Sequence, residues 1–141
     1  MQYAGRCHCG AIRARLESQL HASELPVRAC GCSFCAKHRP RYTSDPAGHV
    51  AIEIDTEANV SRYRFGLRLA DFLICRVCGV FVAAYEPSEP GRAVLNLVVL
   101  DAASEFSAAA TQFADYDRED AATRSSRRAR AWTPATVRVI A

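Results

Sequence analysis

All seven cysteines of this 141-residue chain fall in three short clusters, Cys7-His8-Cys9-Gly10, Cys30-Gly31-Cys32-Ser33-Phe34-Cys35 and Cys75-Arg76-Val77-Cys78-Gly79. An odd number of cysteines cannot pair fully into disulfides. The first residues, Met1-Gln2-Tyr3-Ala4-Gly5-Arg6, carry no apolar core of signal-peptide length, so the expected location is cytoplasmic, where thiols stay reduced. Metal binding is then the expected use of the clusters.

Spacing divides the sulfurs into four and three. Cys7 and Cys9, two apart, would present both sulfurs on one face of a strand while His8 points away. The Cys75-x-x-Cys78-Gly79 segment has the spacing of a tight metal-binding turn, in which Gly79 lets the backbone fold back and offer its amides to sulfur. Cys7, Cys9, Cys75 and Cys78 together make a four-thiolate structural zinc site joining segments about 70 residues apart. Arg6 and Arg76, beside the ligands, would offset the excess negative charge. Cys30, Cys32 and Cys35 remain, and three protein ligands with an open position define a catalytic rather than a structural zinc. His38 stands at Cys-x-x-His spacing from Cys35. Bound to the metal it would close the site; unbound it would leave room for water or a thiol. Ligand count favours the open site. Two zinc ions are therefore expected, the second labile.

The rest of the chain reads as mainly β. Ile12, Ala14 and Leu16 alternate with Arg13, Arg15 and Glu17, and Val50, Ile52 and Ile54 repeat the pattern across a tight turn expected at Asp45-Pro46-Ala47-Gly48. Tyr63 and Phe65 alternate with Arg62 and Arg64, and apolar runs at Asp71 to Ile74, Val80 to Tyr85 and Val94 to Leu100 predict further strands. Helix signals are confined to the last third. Phe106, Ala109, Ala110, Phe113 and Tyr116 recur at helical spacing, and a second short helix is expected over Arg118 to Ala131. Thr133-Pro134 should end it, with Val137 and Val139 in an edge strand. Half the residues are apolar, which suits one domain over residues 1–141.

A net charge of +3 with no strongly basic half predicts no nucleic-acid partner, and the longest apolar stretch, Ala93 to Leu100, is interrupted by Asn96, so no membrane span is expected. The segment from Arg124 to Arg130 is basic, but acidic residues between 115 and 120 precede it, and a solvated helix face with local charge pairs is the expected reading. His8, His21 and His49 read as surface residues. Tyr42, Tyr63, Tyr85 and Trp132 read as core rather than pocket, with Phe34 the better candidate for a wall of the second zinc site.

In order, spacing and flanking residues the three clusters resemble the glutathione-dependent formaldehyde-activating enzyme family, whose domain is shared with centromere protein V. The opening motif is Gly5-x-Cys7-His8-Cys9-Gly10-Ala11-Ile12, the middle one Cys30-x-Cys32-x-x-Cys35 and the closing one Cys75-x-x-Cys78-Gly79. The resemblance runs from about Gly5 to Leu100 and leaves the C-terminal extension, 101–141, without a motif. It implies a Mss4-like fold of several curved antiparallel sheets, a structural zinc on the first and last pairs and a catalytic zinc on the middle cysteines. The implied reaction is carbon-sulfur lyase chemistry, in which glutathione and formaldehyde give S-(hydroxymethyl)glutathione. Many relatives carry an arginine-rich turn leading to Ser-Gly after the middle motif; here Ala36-Lys37-His38-Arg39-Pro40 stands instead. Lys37, Arg39 and Arg41 could pair with the carboxylates of a peptide thiol and His38 could move the proton. The equally weighted alternative for that loop is a solvated basic stretch offsetting thiolate charge. A non-catalytic zinc module that binds a thiol or a protein partner is the second functional expectation.

Overall fold

Where apolar and polar residues alternate, the chain pairs as half-buried strands. The computed structural model describes residues 1–107 and 111–141. Strand β1 (Gln2–Arg6) pairs antiparallel with β2 (Ile12–Glu17), and β2 pairs antiparallel with β5 (His49–Ile54). Ile12, Leu16, Ile52 and Ile54 from these strands are completely buried, each contributing about 2 kcal/mol of apolar burial. The turn expected before β5 is present: Gly48 N–H donates to the Asp45 carbonyl at 2.9 Å. Its glycine is required by close approach rather than by a positive φ, since a Cβ there would lie 2.3 Å from the Glu17 carbonyl oxygen.

The second half of the sheet is built from β3 (Arg28–Cys30), β4 (Tyr42–Thr43), β6 (Val60–Tyr63), β7 (Asp71–Cys75), β8 (Phe81–Glu86) and β9 (Arg92–Asn96). Strands β6, β7, β8 and β9 follow one another antiparallel, and β9 also pairs with β4, which pairs with β3. Between β3 and β4 lies the short helix α1 (Ser33–His38).

The last third departs from its sequence reading in two places. Phe113 is not helical: after a single 3-10 turn at Ala103–Glu105, residues Gln112–Ala114 form β10, which pairs parallel with β3 and leaves Phe113 86% exposed. Ala109 and Ala110 lie outside the described residues. The second helix, α2, spans Ala121–Ala131 and is capped by the Asp120 carboxylate, which accepts from Thr123 N–H at 2.8 Å. The final strand β11 (Thr133–Val139) is not at an edge in the strand order. Its start pairs antiparallel with β9 and its remainder parallel with β5, so it joins the two halves of the sheet. Proline fits because it stands at the second position of the strand, where Thr133 before it is already extended.

Two hydrophobic clusters result. One holds Cys7 and Cys75 among Ile12, Leu73 and Leu97; the other holds Cys35 among Phe34, Tyr42, Phe72, Phe81 and Trp132. Each cysteine site is thus anchored to its own core. Among the described residues no helix is long and apolar enough to cross a membrane.

Candidate metal centres

Cys7 and Cys9 do not lie on a strand. β1 ends at Arg6, and the chain turns through residues 7 to 10 with Gly10 at φ 86°. Cys75, the last residue of β7, opens an equivalent loop, with Gly79 at φ 83°. Both loops close in the same way: Cys7 N–H donates to the Ile12 carbonyl and Cys75 N–H to the Val80 carbonyl, each at 2.9 Å. A side chain at either glycine would force the left-handed region that L residues avoid.

The four sulfurs of Cys7, Cys9, Cys75 and Cys78 all lie within 4.8 Å of one another, although Cys9 and Cys75 are 66 residues apart in sequence. The Cys7–Cys9 and Cys9–Cys75 sulfur separations are 3.7 and 3.5 Å. Zinc–sulfur bonds of about 2.3 Å place the corners of a tetrahedron about 3.8 Å apart, so the spacing fits that ion. Backbone amides already face the sulfurs, from Ile12 to Cys7 at 3.3 Å and from Cys78 to Cys75 at 3.5 Å. Against desolvation, which raises it, hydrogen bonds from backbone amides and neighbouring thiols bring the Cys78 thiol down to about 6. Three of the four side chains are buried or half-buried, and Cys9 is exposed.

The second centre forms where β3 passes into α1. Cys30 ends the strand, Cys32 caps the helix with its sulfur accepting from Cys35 N–H at 3.4 Å, and Cys35 lies in the first turn, buried. Cys32 N–H in turn meets the Cys30 sulfur at 3.4 Å. These three sulfurs lie within 4.8 Å of one another, and no fourth cysteine, histidine or carboxylate joins the group among the described residues. Hydrogen bonds from the Cys30 and Cys35 thiols push Cys32 down to about 2, while the same contacts raise Cys35. The buried Tyr42 hydroxyl lies 3.1 Å from the Cys35 sulfur.

All three cysteines line a cavity of about 390 Å³, within the range of small-molecule sites. Its apolar wall includes Phe65, Leu67, Phe72 and Trp132, and Tyr42 stands beside the sulfurs. His38 does not reach the cluster. It is exposed on the last turn of α1, stacked on Phe34 with ring centroids 4.2 Å apart. Arg39 ends the helix in the left-handed region at φ 52°, its N–H bonded to the Cys35 carbonyl. Lys37, His38, Arg39 and Arg41 are all outside the cavity lining, as is Phe34, which packs among Phe65, Phe72 and Phe81.

The positive charge of the cavity comes instead from Arg28, Arg68, Arg124, Arg127 and Arg128. The local charge pairs expected around residues 115 to 130 are present, since Glu119 bonds both Arg124 and Arg127. The solvated face is present only in part: Arg130 is exposed, whereas Arg128 is buried and pairs with Glu86 of β8 at 2.7 Å. The spacing of Arg124, Arg127 and Arg128 puts them on one helix face, a signal legible in the sequence, but where that face docks was not.

Two cysteine clusters, one of four sulfurs and one of three, could therefore each hold a metal ion, and each packs on a different hydrophobic cluster. The fold is similar to the crystal structure of a Rhodobacter sphaeroides protein, 27% identical, with a TM-score of 0.55 over 70% of this chain and 87% of that one. Residues 2–116, which include all seven cysteines, match the family model described as Glutathione-dependent formaldehyde-activating enzyme, and the chain belongs to that family.

Proposed function

We propose that the protein is a zinc-dependent carbon-sulfur lyase-type enzyme that forms or cleaves S-(hydroxymethyl)glutathione from glutathione and formaldehyde. One observation carries this reading: the three-sulfur centre opens on a cavity of about 390 Å³ and has no fourth protein ligand among the described residues. The four-sulfur centre, by contrast, is complete in itself and serves the fold.

Zinc at Cys30, Cys32 and Cys35 would lower the pKa of an entering thiol and hold its sulfur for attack. In the addition, a carbon–sulfur bond forms, the carbonyl becomes a hydroxyl, and the thiol proton ends on that oxygen, with no net oxidation. The residues of the chain supply the surroundings. Tyr42 fixes the Cys35 sulfur, Phe72 and Trp132 exclude water from one wall, and the cavity arginines favour an anionic substrate. Formaldehyde is small enough to need no pocket of its own.

The position of His38 outside the cavity lining favours a second reading, a module that binds a thiol without turnover. Magnetisation-transfer NMR on an equilibrium mixture of glutathione, formaldehyde and their adduct separates the two. Exchange faster than the uncatalysed rate, abolished by Cys32→Ser, is the expected result. Exchange at the uncatalysed rate with two zinc ions bound would rule out catalysis.

A further inference from the structure

Five arginines line the cavity against two acids, Asp117 and Glu119, and Arg128 is already matched by Glu86. Arg124 and Arg127 come from α2, beyond the segment that matches the family. Both are held in place from within the protein. The Glu119 carboxylate accepts from Nε and Nη2 of Arg127 at 2.9 and 3.0 Å and from Nε of Arg124 at 3.4 Å. Arg124 Nη2 also donates to the Tyr116 carbonyl at 2.6 Å, and Arg127 lies over the Tyr116 ring, 3.4 Å from its centroid. All these bonds use Nε and Nη2, so Nη1 of each guanidinium has no protein partner among the described residues. Arg128, with 9% of its side chain exposed, leaves its Nε unpartnered as well. Burial lowers the pKa of Arg128, and the nearby charge of Arg127 lowers it further. Like charges crowded at a cavity wall with unfilled donors call for an anion.

We infer that Arg124 and Arg127, oriented by Glu119, bind the carboxylates of the thiol substrate and so select an acidic, peptide-like thiol over a neutral one. This rests on the proposed thiol site at Cys30, Cys32 and Cys35, because the sulfurs and the arginines line the same cavity. The two ends of the ligand are thus read by different parts of the chain, sulfur by the family motif and carboxylate by the C-terminal helix. Charge-assisted pairing of this kind typically changes affinity by tenfold or more.

Calorimetric titration of the zinc-loaded protein with glutathione, glutathione diethyl ester and S-methylglutathione tests it. The ester, lacking free carboxylates, is expected to bind at least tenfold more weakly than glutathione. Arg124→Gln and Arg127→Gln should each weaken glutathione at least tenfold and change the ester less than twofold. Arg130→Gln, on the same helix but exposed and outside the cavity lining, should change neither. Should Arg127→Gln fail to fold, as judged by circular dichroism and bound metal, the ester comparison and Arg124→Gln still decide. Equal affinity for ester and glutathione, with glutathione binding unaffected by the arginine variants, overturns the inference and leaves the thiol site standing. S-methylglutathione bound as tightly as glutathione, with both weakened by the arginine variants, supports the inference while overturning the thiol site.

Discussion

The hydroxyl of Tyr42 and the sulfur of Cys35 lie 3.1 Å apart inside the aromatic core, so the most buried sulfur of the three-cysteine cluster has its own hydrogen-bond partner. Partners of this kind orient a ligand and typically change metal affinity by about 10- to 100-fold. Tyr42→Phe keeps the ring and its edge contact with Phe81. The expected outcome is weaker zinc at one site only, read by chelator competition. Two sites of unchanged affinity would remove Tyr42 from the metal centre.

Cys32 both caps α1 and belongs to the sulfur trio. Serine is a good N-cap, so Cys32→Ser separates the two roles. The variant should bind one zinc fewer, keep its far-ultraviolet circular dichroism and lose glutathione binding. Retention of both zinc ions would contradict the assignment of this centre.

The four-sulfur centre predicts a different phenotype. It joins the turn after β1 to the turn after β7, and structural zinc contributes on the order of 10 kcal/mol to folding. That is comparable with the whole stability of a small domain. Cys75→Ser should therefore lose cooperative thermal unfolding. A sharp transition near the wild-type Tm would show that the fold does not depend on this metal.

Glu86 and Arg128 form a buried pair at 2.7 Å. Glu86→Gln leaves the guanidinium buried without its counter-charge, and loss of one partner of such a pair typically costs about 3 kcal/mol or more. Urea denaturation should show the midpoint falling with an unchanged slope. A change within error would mean that the cavity already hydrates Arg128.

Glu119 gives a dependence on pH. Its hydrogen bond to Arg127 holds the carboxyl below its ordinary value. A folded-state pKa below the unfolded one stabilises the protein above the unfolded value, near 4.3, and that contribution is lost as the pH falls through the folded value. The stability difference between wild type and Glu119→Gln should accordingly be larger at pH 7 than at roughly pH 3. A difference independent of pH would place Glu119 outside the ion pairs.

Several local patterns were read correctly where neighbours in sequence determine the outcome, although the strand expected through Cys7 and Cys9 is a turn. Ile12-Ala14-Leu16 and Val50-Ile52-Ile54 became buried faces of paired strands because a period of two has only one amphipathic solution. The turn at Asp45 to Gly48 and the loop ending at Gly79 formed for similarly local reasons. The stretch around Phe113 misled because its helical spacing competed with a strand-pairing site on β3 that no nearby residue announces.

Cysteine number and spacing by themselves determined the division into groups of four and three sulfurs, since the reach of short loops leaves few other ways to gather them. Tertiary structure alone decided what surrounds the open centre. The basic residues next to Cys35 stand outside the cavity, Tyr42, seven residues on, returns to the Cys35 sulfur, and the arginines of α2 arrive from a distant part of the chain. Ligand geometry is a short-range property of the backbone, whereas the walls of a cavity depend on which distant faces pack together. In this protein the C-terminal helix, the part without a recognisable motif, supplies much of the charge of the site.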